Sequence, residues 1–120
     1  MKRDWFILGE LFTKLEDECL EEYLTEMEDK ERQQVYLRHL RLLVDAGYIK
    51  DVYFSGSQVN LRDARITLSG YDFAEMVQDK KLLNKTVGLI KSAGLIVSKE
   101  TLKQFTPVAV KFFVNLTTGA

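Results

Sequence analysis

Between Ala46 and Tyr48 the apolar rhythm of this chain changes, and the residue at the switch is Gly47. Before it, apolar residues recur every three or four positions, the period of a helix with one buried face; after it they alternate in a β-rich composition, the period of a strand. A chain that delivers several helices and then, directly after a Gly-terminated one, a hairpin has few folds open to it.

The helical part divides into three. Asp4 caps a first helix, about Asp4 to Glu16, whose apolar positions are Trp5, Leu8, Leu11, Phe12 and Leu15. The stretch Asp17 to Asp29 keeps Leu20, Tyr23, Leu24 and Met27 on a strongly acidic background and predicts a short, one-sided second helix. From Lys30 to Ala46 a broader stripe of Val35, Tyr36, Leu37, Leu40, Leu43 and Val44 predicts a third helix, roughly 25 Å long. Gly47 can take the positive φ that ends it.

Tyr48 to Phe54 then reads as a strand, Ser55-Gly56-Ser57 as a turn, and Arg65 to Leu68 as the returning strand, a hairpin with a long polar tip. Ser69 or Gly70 opens a short helix carrying Tyr71, Phe73, Ala74, Met76 and Val77, and another helix runs from about Lys80 to Ser92, with Gly94 to end it. The last segment starts near Ser98 and contains the only proline. Pro107 lacks the N–H that a helix interior needs, so a break is expected there, with Thr106 recapping a final short helix. The whole is expected to be a single domain, residues 1–78 forming its core and residues 79–120 a C-terminal helical extension.

Composition excludes several classes. With 120 residues the chain can bury roughly two thirds of its unfolded surface and needs no covalent staple. One Cys, Cys19, forms no internal disulfide, and with one His, His39, it builds no zinc site of the usual kind. No apolar run approaches the roughly 20 residues of a membrane span, and the start Met1-Lys2-Arg3-Asp4 does not lead into a signal-peptide core, so a cytoplasmic location is expected. The balance of 17 basic and 18 acidic residues conceals a segregation. Residues 1–29 hold ten acids against Lys2, Arg3 and Lys14, a net of −7; the remainder holds fourteen bases and eight acids, a net of +6. Such asymmetry suggests a polyanion-facing surface opposite an acidic one, although solvated helix faces produce it too.

Three helices followed by a hairpin is the order of a winged helix-turn-helix, whose third helix enters the DNA major groove and whose hairpin is the wing. Two stretches sharpen the reading. Leu42-Leu43-Val44-Asp45-Ala46-Gly47-Tyr48-Ile49 resembles the junction between recognition helix and wing in many winged-helix regulators, and Ile66-Thr67-Leu68-Ser69-Gly70-Tyr71-Asp72-Phe73 resembles the passage from the wing's return strand into the next helix. Together with Met1-Lys2-Arg3-Asp4, His39-Leu40 and Asn84-Lys85-Thr86, these stretches resemble the bacterial and phage family known as domain of unknown function 2513, over nearly the whole chain. The chain departs from the family pattern at Leu68, Tyr71 and Leu83, where the family carries an aromatic, a His and a Trp. The resemblance implies a winged-helix architecture and a phage or mobile-element setting; the family carries no settled activity.

The third helix leaves Gln34, Arg38, Arg41 and Asp45 opposite its buried face, and Gln and Arg are the types that make bidentate contacts to base edges. Lys30 and Arg32 lie near the helix start, and Arg62 and Arg65 in and just after the proposed wing tip, residues 55–65, with Gln58 and Asn60 beside them. Each has a plain alternative, a solvated face with internal ion pairs. His39 lacks a partner at ligand spacing and is expected to pack or hydrogen-bond structurally, and Cys19 stands among acids that disfavour a thiolate. The final apolar run, with Val108, Phe112, Phe113 and Leu116, covers more of the helix circumference than one buried stripe needs, so it either fills the middle of the domain or meets the same helix of a second subunit, and a homodimer is the favoured expectation. The leading expectation is therefore a non-enzymatic, cofactor-free protein that binds double-stranded DNA. Its rival is a phage or mobile-element module that binds a host or phage protein, for instance to inhibit it, through the scaffold or the acidic N-terminal face. No nucleophile, phosphate loop or metal constellation is visible to support an enzyme.

Overall fold

The computed structural model describes residues 3–56 and 58–118, with the side chains of the last helix as far as Phe112. It is mainly helical with a small antiparallel β-hairpin, as the sequence implies. The order is α1 (Trp5–Glu16), α2 (Leu20–Thr25), α3 (Lys30–Asp45), β1 (Ile49–Lys50), β2 (Tyr53–Ser55), β3 (Gln58–Asn60), β4 (Arg65–Ile66), α4 (Leu68–Val77), α5 (Lys80–Ser92) and α6 (Lys99–Thr118). Residues 1–78 and 79–120 form two compact units.

Aspartates start three of the helices. Asp4, Asp29 and Asp79 each turn a carboxylate onto two amides of the first turn, satisfying donors that have no partner inside the helix. The ends of α1, α3 and α5 share one closure, in which the residue two past the cap donates back to the third-last helical carbonyl: Cys19 to Lys14, Tyr48 to Leu43 and Leu95 to Ile90, at 2.9–3.1 Å. That closure needs a left-handed residue, supplied by Gly47 (φ 78°) and Gly94 (φ 75°) and, after α1, by Glu18 (φ 58°). Glu18 is why the acidic stretch yields only six helical residues.

In the first unit Leu8, Leu11 and Phe12 of α1, Leu20 and Leu24 of α2, Tyr36, Leu40 and Leu43 of α3, and Phe73, Ala74 and Val77 of α4 are buried. Phe73 is the hub: Tyr48 stacks on it at 4.8 Å, and Trp5 and Phe12 meet it edge-on at 6.3 and 6.1 Å. Two glycines permit the close approaches. A Cβ at Gly9 would lie 1.9 Å from the Val77 carbonyl oxygen, and one at Gly70 would lie 2.1 Å from the Tyr48 oxygen. At this second contact the Thr67 amide donates to the Tyr48 carbonyl (2.9 Å), the Thr67 hydroxyl donates to the Gly47 carbonyl (2.7 Å), and the Gly70 amide donates to the hydroxyl (3.1 Å). The two sequence stretches flanking the hairpin are thus one bonded junction.

The hairpin differs from the expected long-tipped form. Asp51, at φ 63°, breaks the predicted Tyr48–Phe54 strand in two, and β4 stops at Ile66 because Thr67 is already the cap of α4. A root ladder pairs Ile49 with Ile66 and Lys50 with Arg65; an outer ladder pairs Tyr53 with Asn60, Phe54 with Val59 and Ser55 with Gln58. The pairing of Ser55 with Gln58 brings the strands together directly past Ser55, where Gly56 takes φ 61°.

In the second unit α5 and α6 pack together, with Leu83, Thr86, Ile90, Leu102 and Ala109 buried. The expected break at Pro107 does not occur: α6 runs through it. The helix loses only the amide at 107, the Lys103 residue whose carbonyl that amide would meet is exposed to water, and Leu102 and Ala109 on either side are buried, so burial outweighs the missing bond. Thr106 does not recap a new helix; its hydroxyl donates back to the Leu102 carbonyl within the same one.

Candidate nucleic-acid interface

The basic residues singled out in the sequence fall in three places. The first is the outer face of α3, where Arg38, Arg41 and Asp45 are exposed and Gln34 is half-buried. The Arg38 guanidinium has no hydrogen-bond or ion-pair partner among the described residues. Arg41 reaches the hairpin: its guanidinium carbon lies 4.3 Å from the centre of the Phe54 ring on β2. The ring contact leaves the Arg41 N–H groups without an acceptor among the described residues, so they stay available.

The second place is the start of α3. Arg32 lies over the Tyr36 ring (5.4 Å) and donates to the Tyr36 hydroxyl (3.3 Å). That contact pushes its already high pKa further up. The Tyr36 hydroxyl in turn donates to Glu10 (2.7 Å), whose second oxygen takes the Tyr23 hydroxyl. Burial, the Glu10 carboxylate and the neighbouring Tyr36 together hold the Tyr23 hydroxyl protonated well above the usual phenol range. Lys14 sits over the Tyr23 ring at 4.8 Å. This cluster ties α1, α2 and α3 together, and Arg32, though exposed, is tethered to it through Tyr36.

The third place is the root of the hairpin, and here the position differs from that expected. Arg62 is in the turn closed by the Ala64 amide on the Leu61 carbonyl, not at the tip, and Arg65 is on β4. Arg65 donates to Asp51 at 3.2 Å, an exposed pair of the kind worth little in water. Both arginines line one side of a groove of about 580 Å³ whose other side carries Glu16, Glu18, Glu21 and Glu22. The arginines of the hairpin root thus face acids, whereas those of α3 face solvent and the outer ladder. This division depends on the hairpin register, which the sequence did not reveal, and Phe54 was not among the residues it suggested.

His39 is fully buried with both ring nitrogens used. Its Nε2 accepts from the Asp4 amide (2.9 Å), so Nδ1 carries the proton and donates to the Val35 carbonyl (2.7 Å). The imidazole staples the start of α1 to α3 and has no free lone pair for a metal. Among the described residues no three His, Cys, Asp or Glu side chains gather as metal ligands, and no helix is long and apolar enough to cross a membrane. Of the four apolar residues expected at a dimer contact, Val108 and Phe112 are 52% and 43% exposed, with Lys85 over the Phe112 ring at 3.7 Å. The side chains of Phe113 and Leu116 lie outside the described residues. No family model, curated protein or solved structure matches the chain.

Proposed function

We propose that this chain is a non-enzymatic winged-helix protein that binds double-stranded DNA, with α1 to α3 as the helix-turn-helix and the hairpin as its wing. One observation carries the reading: Arg38 and Arg41 stand exposed on α3, and Arg41 rests on Phe54, so the basic face of the helix meets the hairpin. Arg65 joins this surface at small cost by exchanging Asp51 for a phosphate, and Arg62 is its sequence-independent partner. In keeping with the resemblance to the domain of unknown function 2513 family, the protein acts in the cytoplasm as a regulator carried by a phage or other mobile element. Two copies, joined along the Val108 and Phe112 side of α6, double the phosphate contacts available.

The test is a titration against random-sequence duplex at low and moderate salt. Binding that weakens with salt by about 0.9 in log–log slope per phosphate neutralised is expected. Arg38→Ala should erode sequence preference, and Arg62→Ala should weaken binding to every duplex alike. Absence of binding at low salt would overturn the reading.

The groove walled by Glu16, Glu18, Glu21 and Glu22 favours a second reading, in which the acidic side receives a basic segment of a host or phage protein. Under it, charge reversal at Glu21 and Glu22 abolishes partner capture and leaves duplex binding unchanged.

A further inference from the structure

Within the DNA-binding reading, on which this inference rests, the arginines are not equivalent. Arg32 is bonded to Tyr36, Arg65 to Asp51, and Arg62 borders a groove lined with glutamates. Arg38 is unattached. Arg41 is exposed and also held, its guanidinium carbon 4.3 Å from the centre of an aromatic ring carried by a different element, whereas the rings under Arg32 and Arg3 lie within four residues along the chain.

We infer that Arg41 is the specificity-determining residue of the surface, reading a guanine in the major groove, and that Phe54 is the positioning residue that fixes its plane. The physical argument concerns orientation. A guanidinium reads guanine with two parallel N–H donors directed at O6 and N7, which requires its plane to coincide with that of the base. A free arginine must give up much side-chain freedom to do so, whereas one already stacked gives up less. Phe54 is paired with Val59 in the outer ladder and half-buried, so its ring is carried by the hairpin while Arg41 is carried by α3. The stack therefore sets the reading edge at the line where helix and hairpin meet. Lysine cannot replace the arginine in this role, since an ammonium has neither a face to stack nor a fork.

The experiment selects duplexes from a random pool with the wild-type protein, then compares affinity for the selected duplex and for a scrambled one. The selected pool should hold a guanine at one fixed position. Phe54→Leu, which keeps an apolar residue at the hairpin position, should cut the selected-over-scrambled ratio roughly tenfold or more, leave the salt slope unchanged, and be rescued by Phe54→Tyr. Arg41→Lys, which disturbs no hairpin contact other than the stack, should lose the same ratio. In the free protein, ring-current shifts on the Arg41 side-chain protons should vanish in Phe54→Leu. Duplex binding with an unchanged ratio in Phe54→Leu, or an Arg41→Ala variant that weakens both duplexes equally, overturns the inference while the DNA reading stands. No duplex binding by the wild type overturns both, even where the ring-current shifts are found.

Discussion

Gly70 and Gly88 are both helical glycines, and replacing each by alanine should move stability in opposite directions. At Gly70 the new methyl would lie 2.1 Å from the Tyr48 carbonyl oxygen and 2.9 Å from the Ile66 side chain. Ordinary carbon–oxygen contacts begin near about 3.3 Å, so α4 must retreat by roughly 1.2 Å from the hairpin root. Such overpacking costs about 1–3 kcal/mol. The retreat also stretches the bonds from Thr67 to Tyr48 and Gly47, each worth about 0.5–1.5 kcal/mol. Alanine returns about 1 kcal/mol of helix propensity. The net expectation for Gly70→Ala is a loss of about 2–4 kcal/mol. At Gly88, exposed on α5 with nothing within 4 Å of a built Cβ, only the propensity remains, and Gly88→Ala should gain about 0.5–1 kcal/mol. Urea unfolding reads both: Trp5, the single tryptophan, packs on Phe73 of α4 and reports the first unit by fluorescence, while helical circular dichroism sums both units, so a shift it shows without the fluorescence belongs to the second. A Gly70→Ala protein within about 0.5 kcal/mol of wild type, with native fluorescence, would refute the close approach at this junction.

Other outcomes follow from the same structure. Glu18→Gly should raise the urea midpoint, because relief of a left-handed side chain, about 1–2 kcal/mol, exceeds the added chain entropy of about 0.4–1 kcal/mol; Glu18→Ala, which keeps the strain, should bring no such gain. The raised Tyr23 pKa makes stability fall on the alkaline side: below the ordinary phenol value of about 10 both states are protonated, and above it the unfolded chain gives up a proton that the folded one retains. Urea midpoints from about pH 9 to about pH 11 should fall less steeply in Tyr23→Phe, and equal slopes would contradict the cluster. Phe112→Glu should convert a sedimenting dimer to monomer, and a wild-type monomer at tens of micromolar would dispose of the dimer.

Much of the helical order was legible because it is written in local chemistry. Asp4, Asp29 and Asp79 cap, and Gly47 and Gly94 close, wherever they stand in a helical period. The misses share a cause. Glu18 and Asp51 adopt left-handed backbone without a glycine to announce it, so the start of the short acidic helix at Leu20 went unmarked, and one strand was expected where two form. Pro107 is the converse, a residue that normally stops a helix held inside one by buried neighbours. The α3 face could be drawn from periodicity, yet the tether of Arg32, the pairing of Arg65 and the stack beneath Arg41 depend on which residues the hairpin register brings alongside. No local pattern carries that information.

The left-handed Asp51 also separates what must stay constant from what can change. The hydrogen bonds that anchor the hairpin, the Ile49–Ile66 pairing and the Thr67 junction, lie on the root side of it, and the Arg41 contact with Phe54 lies just beyond. Past that contact β2 pairs with β3 alone, Ser55 opposite Gln58. Residues can therefore be inserted or removed in matched pairs between Phe54 and Val59, lengthening or shortening the outer arm without altering one bond at its base or the contact with Arg41. This gives the molecule a means of adjusting its reach in evolution that leaves the core untouched.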